Sequence, residues 1–386
     1  MQQVAMTWLV YHLTKSEWLL GVVAFAGQVP TIFVSPFAGV LTDRWNRHRT
    51  VIITQSLAMI QAFLMAFLTY THWISVYQIV GLAFLLGVIN AFDMPLRQAF
   101  LSDIVTRTED LPNAIAMNSS MVNTTRLLGP ALASLVIGVS GEAFCFLLNG
   151  ISYLAVLLAL LKMQIHVKRK NGEMQHVLMS LWEGFDYCRK VPTIRTVLIL
   201  LSLTSITSVS LSTLLPVFAT KLFASGASGL GILTSVSGAG ALCGAIYLAS
   251  RKSLLGLGRV IALSTATLGL GMALFAYAPV HPFAIACLFF TGGGNIVQMV
   301  AANSLLQVIA EDGKRGRVLS FYIVSLLGLA PFGNLLAGYL GSHLGAPTTV
   351  AFTGLATLVS GLVFASQVSK LEFPEVLAGE SSTNLK

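Results

Sequence analysis

Apolar runs of about 20 residues recur along nearly the whole chain, and each is long enough to cross a bilayer as a helix. Soluble domains carry roughly 25% charged residues, whereas only 10% of these 386 residues are charged and 55% are hydrophobic. A transmembrane β-barrel would need alternating segments of about 10 residues, and the sequence lacks that pattern. The sequence therefore predicts an all-α polytopic membrane protein.

Eleven complete spans are predicted, and a shorter apolar segment precedes them. That segment, MQQVAMTWLVYHL, is too short to cross a bilayer and lacks the basic start and cleavage site of a signal peptide. We expect it to be part of a truncated first span. The predicted complete spans are 17–42, 50–70, 76–96, 116–139, 142–162, 195–216, 228–250, 259–278, 282–304, 317–341 and 346–368.

The distribution of basic residues predicts the orientation of these spans. Most of the 23 Lys and Arg residues lie in the tail and in alternate connections, and such residues concentrate on the cytoplasmic side of a membrane. Both chain ends are therefore predicted to be cytoplasmic in the complete protein. The net charge of +8 follows from this topology, so no nucleic-acid partner is expected. The basic connections lie near 43–50, 97–115, 163–194, 251–259 and 305–317.

The longest connection between spans, 163–194, separates two transmembrane halves at 1–162 and 195–368, and a cytoplasmic tail covers 369–386. Within the connection, large apolar residues recur at helical spacing, which predicts an amphipathic helix on the cytoplasmic membrane surface. Those residues are Leu178, Leu181, Trp182 and Phe185.

The two halves resemble each other near their ends. Three glycines of the first half recur in the second half after a constant offset of 204 residues. Two six-span halves related by repetition are the architecture of many secondary transporters, which rock around a central site. The repeated pairs are Gly129 with Gly333, Gly141 with Gly345 and Gly150 with Gly354.

The loop after the predicted second span reads GVLTDRWNRHRT. It resembles the signature loop of the major facilitator superfamily, Gly-x-x-x-Asp-Arg-x-Gly-Arg followed by a basic residue. Asn46 stands where glycine is usual, and Asn also tolerates left-handed backbone angles. The positions that match the signature are Gly39, Asp43, Arg44 and Arg47.

Further stretches are similar to the subgroup of this superfamily that includes bacterial siderophore exporters and drug-efflux homologues. They read NAFDMPLRQ, DLPNAIAMN, RLLGP, FLLN and RGRV, and the resemblance covers essentially residues 1–368. The resemblance implies a major facilitator fold in a bacterial inner membrane, without cofactor or metal. We expect a monomer.

The resemblance also implies a cytoplasmic gate. Asp43 would meet the start of the eleventh span near Arg317, while Arg44 and Arg47 would pair with acids at the cytoplasmic end of the fourth span. Asp93 is such an acid. The alternative is that these charges only set topology and form a turn. The predicted gate residues are Gly39, Asp43, Arg44, Arg47, Asp93 and Arg97.

Asp93 is also the main candidate for a proton site, because the spans of the second half carry no Asp or Glu. Pro95 is expected to end the fourth span, which would place Asp93 near the cytoplasmic boundary and favour a gate over a proton carrier. Arg97 would pair with Asp93 only if the helix continued through the proline. Arg126 is the other intramembrane charge; it either binds an anionic group or pairs with Asp93 or a carbonyl.

The fifth span carries Gly129 and Pro130, which resemble the Gly-Pro signature of antiporters in this superfamily. They form either an export-favouring hinge or only a packing kink. Uncharged amides within the spans predict a cavity of mild polarity, suited to a bulky amphiphile. The candidate cavity residues are Gln28, Asn90, Asn123, Asn295 and Gln298.

These features predict a transporter that exports small amphiphilic molecules, drug-like or siderophore-like, by proton antiport with alternating access. Its partners would be the substrate, protons and the bilayer. The alternatives are an importer or lipid transporter on the same fold, or an inactive sensor homologue. An intramembrane enzyme is not expected, because the histidines and acids form no catalytic or metal-binding motif.

Overall fold

The computed structural model describes residues 1–44, 46–105, 110–163, 177–221, 226–251, 256–311 and 314–368. Regular structure in these ranges is helical throughout, which confirms the predicted all-α class. The helices are α1 (Gln2–Thr14), α2 (Glu17–Arg44), α3 (Arg47–Tyr70), α4 (Val76–Ile104), α5 (Leu111–Lys162), α6 (Val177–Lys190), α7 (Pro192–Lys221), α8 (Gly226–Ser250), α9 (Leu257–Ala276), α10 (His281–Ile309), α11 (Arg315–Ile323), α12 (Ala330–Leu344) and α13 (Ala346–Val368).

Ten candidate membrane spans occur in the described residues. The number is smaller than predicted because the predicted spans 116–139 and 142–162 both lie within α5. This helix changes direction at Gly141, whose backbone leaves the helical region at φ 82° and ψ 174°. Residues other than glycine rarely adopt such a φ, so the glycine permits the turn between the two spans.

The same turn recurs in the other half of the chain. Gly345 lies between α12 and α13 with φ 81° and ψ 154°, and it is the predicted repeat partner of Gly141. Two glycines at equivalent positions therefore adopt nearly the same unusual backbone conformation. This agreement supports the internal repeat, because the two positions share a backbone conformation as well as a residue type.

The chain forms two compact units. The first comprises Met1–Glu173 and Thr213–Ser235, and the second comprises Met174–Ser212 and Val236–Lys386. In the first unit α2 packs on α4, and α3 packs on α5; in the second unit α9 packs between α10 and α13. The last part of α7 and the first part of α8 thus belong with the N-terminal helices.

Glycines allow the closest helix packing in the second unit. A methyl group on Gly354 would lie 2.7 Å from the backbone nitrogen of Ala273 and 2.9 Å from the backbone oxygen of Gly269. A methyl group on Gly292 would clash with the backbone of Ser237. Small residues bring helix backbones together in membranes, where packing rather than water exclusion favours helix association.

The predicted span 317–341 is not one uniform helix. A π-helical turn, Val324–Gly328, separates α11 from α12, and Pro331 lies in the first turn of α12. Proline cannot donate a backbone hydrogen bond, so the regular ladder is interrupted just before it. The hydroxyl of Ser205 on α7 donates a 2.6 Å hydrogen bond to the backbone oxygen of Leu326, which stabilises this interruption.

A helix, α6, occupies the segment predicted to form the amphipathic helix. Glu183 forms a 2.9 Å ion pair with Arg317 of α11, and the ring of Phe185 lies 6.1 Å from that of Phe321. Burial raises the pKa of the Cys188 thiol, which faces away from solvent. These contacts attach α6 to the start of α11 within the second unit.

Candidate functional site

The candidate site is built around the carboxylate of Asp93, which is only 6% exposed on α4. Two side chains of α3 donate hydrogen bonds to its Oδ1 atom: the Thr54 hydroxyl at 2.7 Å and the Gln55 amide at 2.8 Å. A buried carboxylate needs such partners, because water no longer solvates its charge. These charge-assisted bonds connect α3 and α4 at one point.

Arg97 places a positive charge beside this carboxylate. Its guanidinium lies 3.7 Å from Oδ2 of Asp93, one helical turn away. The pair forms because α4 continues through Pro95 for more than two further turns. The expectation that Pro95 ends the fourth span is therefore wrong, and Asp93 lies farther from the end of its helix than predicted.

Tertiary packing explains why α4 continues beyond the proline. Leu96 and Phe100 are buried on the turns that follow it, and they pack against Val51 of α3 and Leu160 of α5. His48 stacks on Phe100 and hydrogen-bonds the backbone oxygen of Leu160 at 2.8 Å. This apolar layer lies between Asp93 and the predicted cytoplasmic end of the helices, and it stabilises the helix against the proline.

The structure describes only part of the predicted gate. Arg47 is the first residue of α3, half-buried and about two turns from Thr54. Asp93 and Arg97 are brought together, as the preceding distances show. Gly39 lies in the helical backbone of α2, whereas the side chains of Asp43 and Arg44 lie outside the described residues, so the proposed contact of Asp43 with the eleventh span stays a prediction.

Around the predicted hinge, α5 is helical through both Gly129 and Pro130. The hydroxyl of Ser134 donates a 3.1 Å hydrogen bond to the backbone oxygen of Pro130. A methyl group on Gly231 of α8 would clash with Ser134, so α5 and α8 pack closely here within the first unit. The Arg126 side chain lies outside the described residues, and both interpretations of its role stay predictions.

The predicted cavity amides lie in several different environments. Gln28 and Asn90 are half-buried, on α2 and α4, whereas Asn295 is exposed on α10. Gln298 is 2% exposed and donates a 3.1 Å hydrogen bond to the hydroxyl of Thr204, which connects α10 with α7. The side chain of Asn123 lies outside the described residues.

A second group of amides was missed in the sequence. Gln2 donates a 2.5 Å hydrogen bond to Gln61, accepts one of 2.7 Å from Asn149, and so connects α1, α3 and α5. The sequence feature that could have indicated buried amides is their position on α3, because Gln55 and Gln61 lie on the helix face that also buries Ala58. Polar residues at helical spacing on a buried face indicate interhelical hydrogen bonds.

This arrangement is suited to holding or moving charge. Thr54 and Gln55 donate to the carboxylate of Asp93, and the guanidinium of Arg97 adds a positive charge beside it, so three side chains act on one acid. Among the described residues, no group of three His, Cys, Asp or Glu side chains could hold a metal ion. The contacts at the site are those of a carboxylate with two neutral donors and a guanidinium.

Comparisons with known proteins show the family of the chain. Residues 1–384 match the major facilitator family described as transmembrane secretion effectors. The staphyloferrin A transporter of Staphylococcus aureus is 28% identical, with 94% of this chain and 90% of that protein covered. The multidrug efflux pump Tap of Mycolicibacterium fortuitum is 24% identical, with 93% and 90% covered. The enterobactin exporter EntS of Shigella boydii is also 24% identical, with 96% and 90% covered.

Solved structures support the fold. The crystal structure of the nucleoside transporter NupG superposes with a TM-score of 0.74, covers 95% of this chain and 96% of that chain, and is 15% identical. At that identity the likeness concerns the arrangement of helices alone. It agrees with the predicted transporter fold.

Proposed function

The chain belongs to the transmembrane secretion effector family of the major facilitator superfamily, and from that premise we propose that it exports small amphiphilic molecules in exchange for protons. It is a multi-pass membrane transporter of the efflux type and not an enzyme. The family description and the names of the efflux and exporter relatives support the outward direction. We place it in a bacterial inner membrane, with the basic connections in the cytoplasm.

The substrate class follows from the relatives and from the polarity of the helices. The relatives carry staphyloferrin A, multiple drugs or enterobactin, according to their names. Gln28, Asn90 and Asn295 offer neutral hydrogen-bonding groups among largely apolar helices. An amphiphile can use such groups without a charged binding partner, whereas a small ion would need full replacement of its hydration shell.

The buried carboxylate of Asp93 is the observation that carries the coupling part of this proposal. In the proposed cycle, its ionised form holds α3 and α4 together through Thr54 and Gln55 and stabilises the cytoplasmic gate. Protonation would loosen these bonds and permit the rocking movement of alternating access. A second role, direct carriage of the proton, is favoured by the position of Asp93 within a continuous helix.

Substrate-induced proton movement in everted membrane vesicles tests the proposal. Vesicles containing the full chain are acidified by respiration, and a pH-sensitive dye reports proton leakage after addition of amphiphilic drugs or catecholate compounds. Asp93→Asn removes the charge at nearly constant shape. Asp186→Asn is the matched control, because Asp186 is an acid on α6 that pairs with Lys190 at 2.5 Å, outside the membrane helices. We expect compound-dependent leakage that the control variant retains.

The response of the Asp93→Asn variant separates the two roles. If Asp93 carries the proton, proton leakage should disappear in this variant while exchange of labelled substrate across the membrane continues. If Asp93 only stabilises the gate, proton leakage should continue, but both substrate and protons should move more slowly. If no compound moves protons although binding is detected, proton antiport is excluded, and transport of lipid or uncoupled substrate becomes the next hypothesis to measure. Absence of any transport would favour the sensor homologue.

A further inference from the structure

A groove of about 850 Å³ runs along the outer surface of the second unit, between α7 and α13. Its floor is formed by Leu200 and Phe364, which are almost completely buried. Its walls include Ile199 and Val359, which are 53% and 56% exposed. Both helices are candidate membrane spans, so the groove runs along the part of this unit that would cross the bilayer.

The register of the two helices fixes what lies at each end of the groove. Thr207 of α7 shares a 2.7 Å hydrogen bond with Thr357 of α13, and the two helices run in opposite directions. Arg195 therefore lies near the level of Gln367, and both line the same end. On α13 the lining extends from Gln367 back to Phe352, a distance of about 22 Å at 1.5 Å per residue.

This length is close to that of one membrane leaflet together with its headgroup region. The hydrocarbon core of a bilayer is roughly 30 Å thick, so one leaflet contributes about 15 Å. A groove of this size can take an acyl chain along its apolar part and still extend into the headgroup region. The end that carries Arg195 is the start of α7, which the distribution of basic residues places on the cytoplasmic side.

Arg195 supplies a charge that the described residues do not neutralise. Other basic residues near this end have acidic partners: Arg317 pairs with Glu183 at 2.9 Å, and Lys190 pairs with Asp186. Within the described ranges Arg195 is exposed and pairs with no carboxylate. The backbone N–H groups in the first turn of α7 add positive partial charge at the same place.

From these observations we propose that the groove between α7 and α13 binds a phospholipid with an anionic headgroup. One acyl chain lies along Leu200 and Val359, the phosphate contacts the guanidinium of Arg195, and the amide of Gln367 donates to the headgroup. Basic pockets between membrane helices on the cytoplasmic side bind anionic lipids in this way. Asp93 belongs to the first unit and does not line this groove, so the lipid site does not depend on the proposed transport function.

Lipid titration of the purified full chain in mild detergent tests this site. Native mass spectrometry counts bound phosphatidylglycerol and, separately, bound phosphatidylcholine. Arg195→Gln should weaken phosphatidylglycerol binding about tenfold, because charge-assisted hydrogen bonds to the phosphate are lost. Arg259→Gln is the matched control: Arg259 is an exposed arginine in the first turn of α9 that does not line the groove. It should leave the affinity unchanged.

Two further variants make the test specific to the groove. Ala356→Trp places a large ring on the lining and should reduce retention of both lipids. Adding Gln367→Arg to the Arg195→Gln variant returns a positive charge to the same end and should restore phosphatidylglycerol binding. Thermal unfolding without added lipid shows whether each variant is folded.

Three results would overturn the proposal. Equal weakening by Arg195→Gln and Arg259→Gln would indicate general surface attraction. Equal affinity for phosphatidylcholine and phosphatidylglycerol would remove the headgroup contact. Unchanged binding in the folded Ala356→Trp variant would place the lipid elsewhere. Soluble glycerol phosphate serves as a last comparison: we expect it not to compete with the lipid, whereas full competition would show that the acyl chain has no site in the groove.

Discussion

Among the described residues, the first compact unit buries a carboxylate that accepts hydrogen bonds from α3, whereas the buried polar side chains of the second unit are hydroxyls and two amides, Gln298 and Asn334. Asp93 accepts from Thr54 and Gln55, but Ser210 of α7 shares a 2.6 Å hydrogen bond with the hydroxyl of Thr353. The sequence has no Asp or Glu between Asp186 and Glu311, so this difference extends to every span in that interval.

The contrast is informative because the two halves share their backbone plan. Gly141 and Gly345 adopt the same positive φ at equivalent turns, so the halves derive their shape from a common pattern. The spans of the second half, however, contain no Asp or Glu. We infer that the first half carries the group that responds to protons, and that the second half contributes a neutral framework. Substitutions in both halves test that division.

The largest effect is expected when Asp93 loses both of its donors from α3. In the double variant Thr54→Val with Gln55→Leu, the carboxylate stays buried without these bonds. Hydrogen bonds to charged groups contribute about 1.5–3 kcal/mol each, so we expect the free energy of unfolding to fall by roughly 3 kcal/mol or more. Thermal unfolding in detergent measures the loss, and transport in vesicles should fall with it.

Adding Asp93→Asn to this double variant is the control, because it removes the buried charge. Stability should then recover in part. A double variant as stable as the wild type would contradict the view that the two donors support the carboxylate, and it would remove the main distinction between the two units.

The repeat-related glycines Gly150 and Gly354 should differ in their tolerance of a methyl group. In Gly354→Ala the new carbon would press on the backbone of Gly269, and overpacking of this kind costs about 1–3 kcal/mol. In Gly150→Ala it would meet the ring of Phe63 at 2.7 Å, and a ring can rotate away more easily than a helix backbone can move. Gel filtration and thermal unfolding of the two variants measure the difference.

Equal damage in these two alanine variants would show that both units are packed with the same rigidity. Greater damage in Gly150→Ala would reverse the expected order. A further control is Gly138→Ala on α5, because nothing lies within 4 Å of the added carbon and no effect is expected.

The two turn glycines should behave alike, which sharpens the shared part of the comparison. Gly141→Ala and Gly345→Ala each force a side chain into a left-handed conformation, at a cost of about 1–2 kcal/mol. Similar shifts of the unfolding midpoint would support equivalent roles for the turns. A clear loss in one variant and none in the other would show that only one half depends on its turn.

Much of the fold follows from the sequence because burial in lipid imposes a simple rule of length and polarity. The apolar runs predicted the spans, and the constant offset between Gly141 and Gly345 predicted an internal repeat, at whose equivalent positions the structure shows the same turn. Pro95 was interpreted wrongly, because local preference gives no information about the packing of Leu96 and Phe100 that maintains the helix. Tertiary contacts overrode a local signal there.

The candidate site was predictable only in part, for a related reason. Asp93 stood out as a lone acid in an apolar region, and its pairing with Arg97 depended on whether the helix continued. Gln55 and Gln61 were missed because an amide can face a cavity, a neighbouring helix or lipid at the same sequence spacing. The direction of a side chain is set by the rotation of the whole helix against its neighbours, which span prediction does not determine.

The smallest effect is expected for the hydroxyl pairs of the second unit. Ser210→Ala, Thr353→Val and the double variant form a cycle around the 2.6 Å hydrogen bond between these residues. Interhelical hydrogen bonds in membrane proteins contribute about 0.6 kcal/mol on average, because alternative partners exist in the unfolded state. We therefore expect a coupling energy near that value and little change in substrate-induced proton leakage. A matching cycle of variants gives the coupling energy between Thr54 and Asp93. An equally large coupling energy between Ser210 and Thr353 would mean that neutral hydroxyls stabilise the second unit as strongly as charge stabilises the first. The functional division between the halves would then rest on the location of the acid alone.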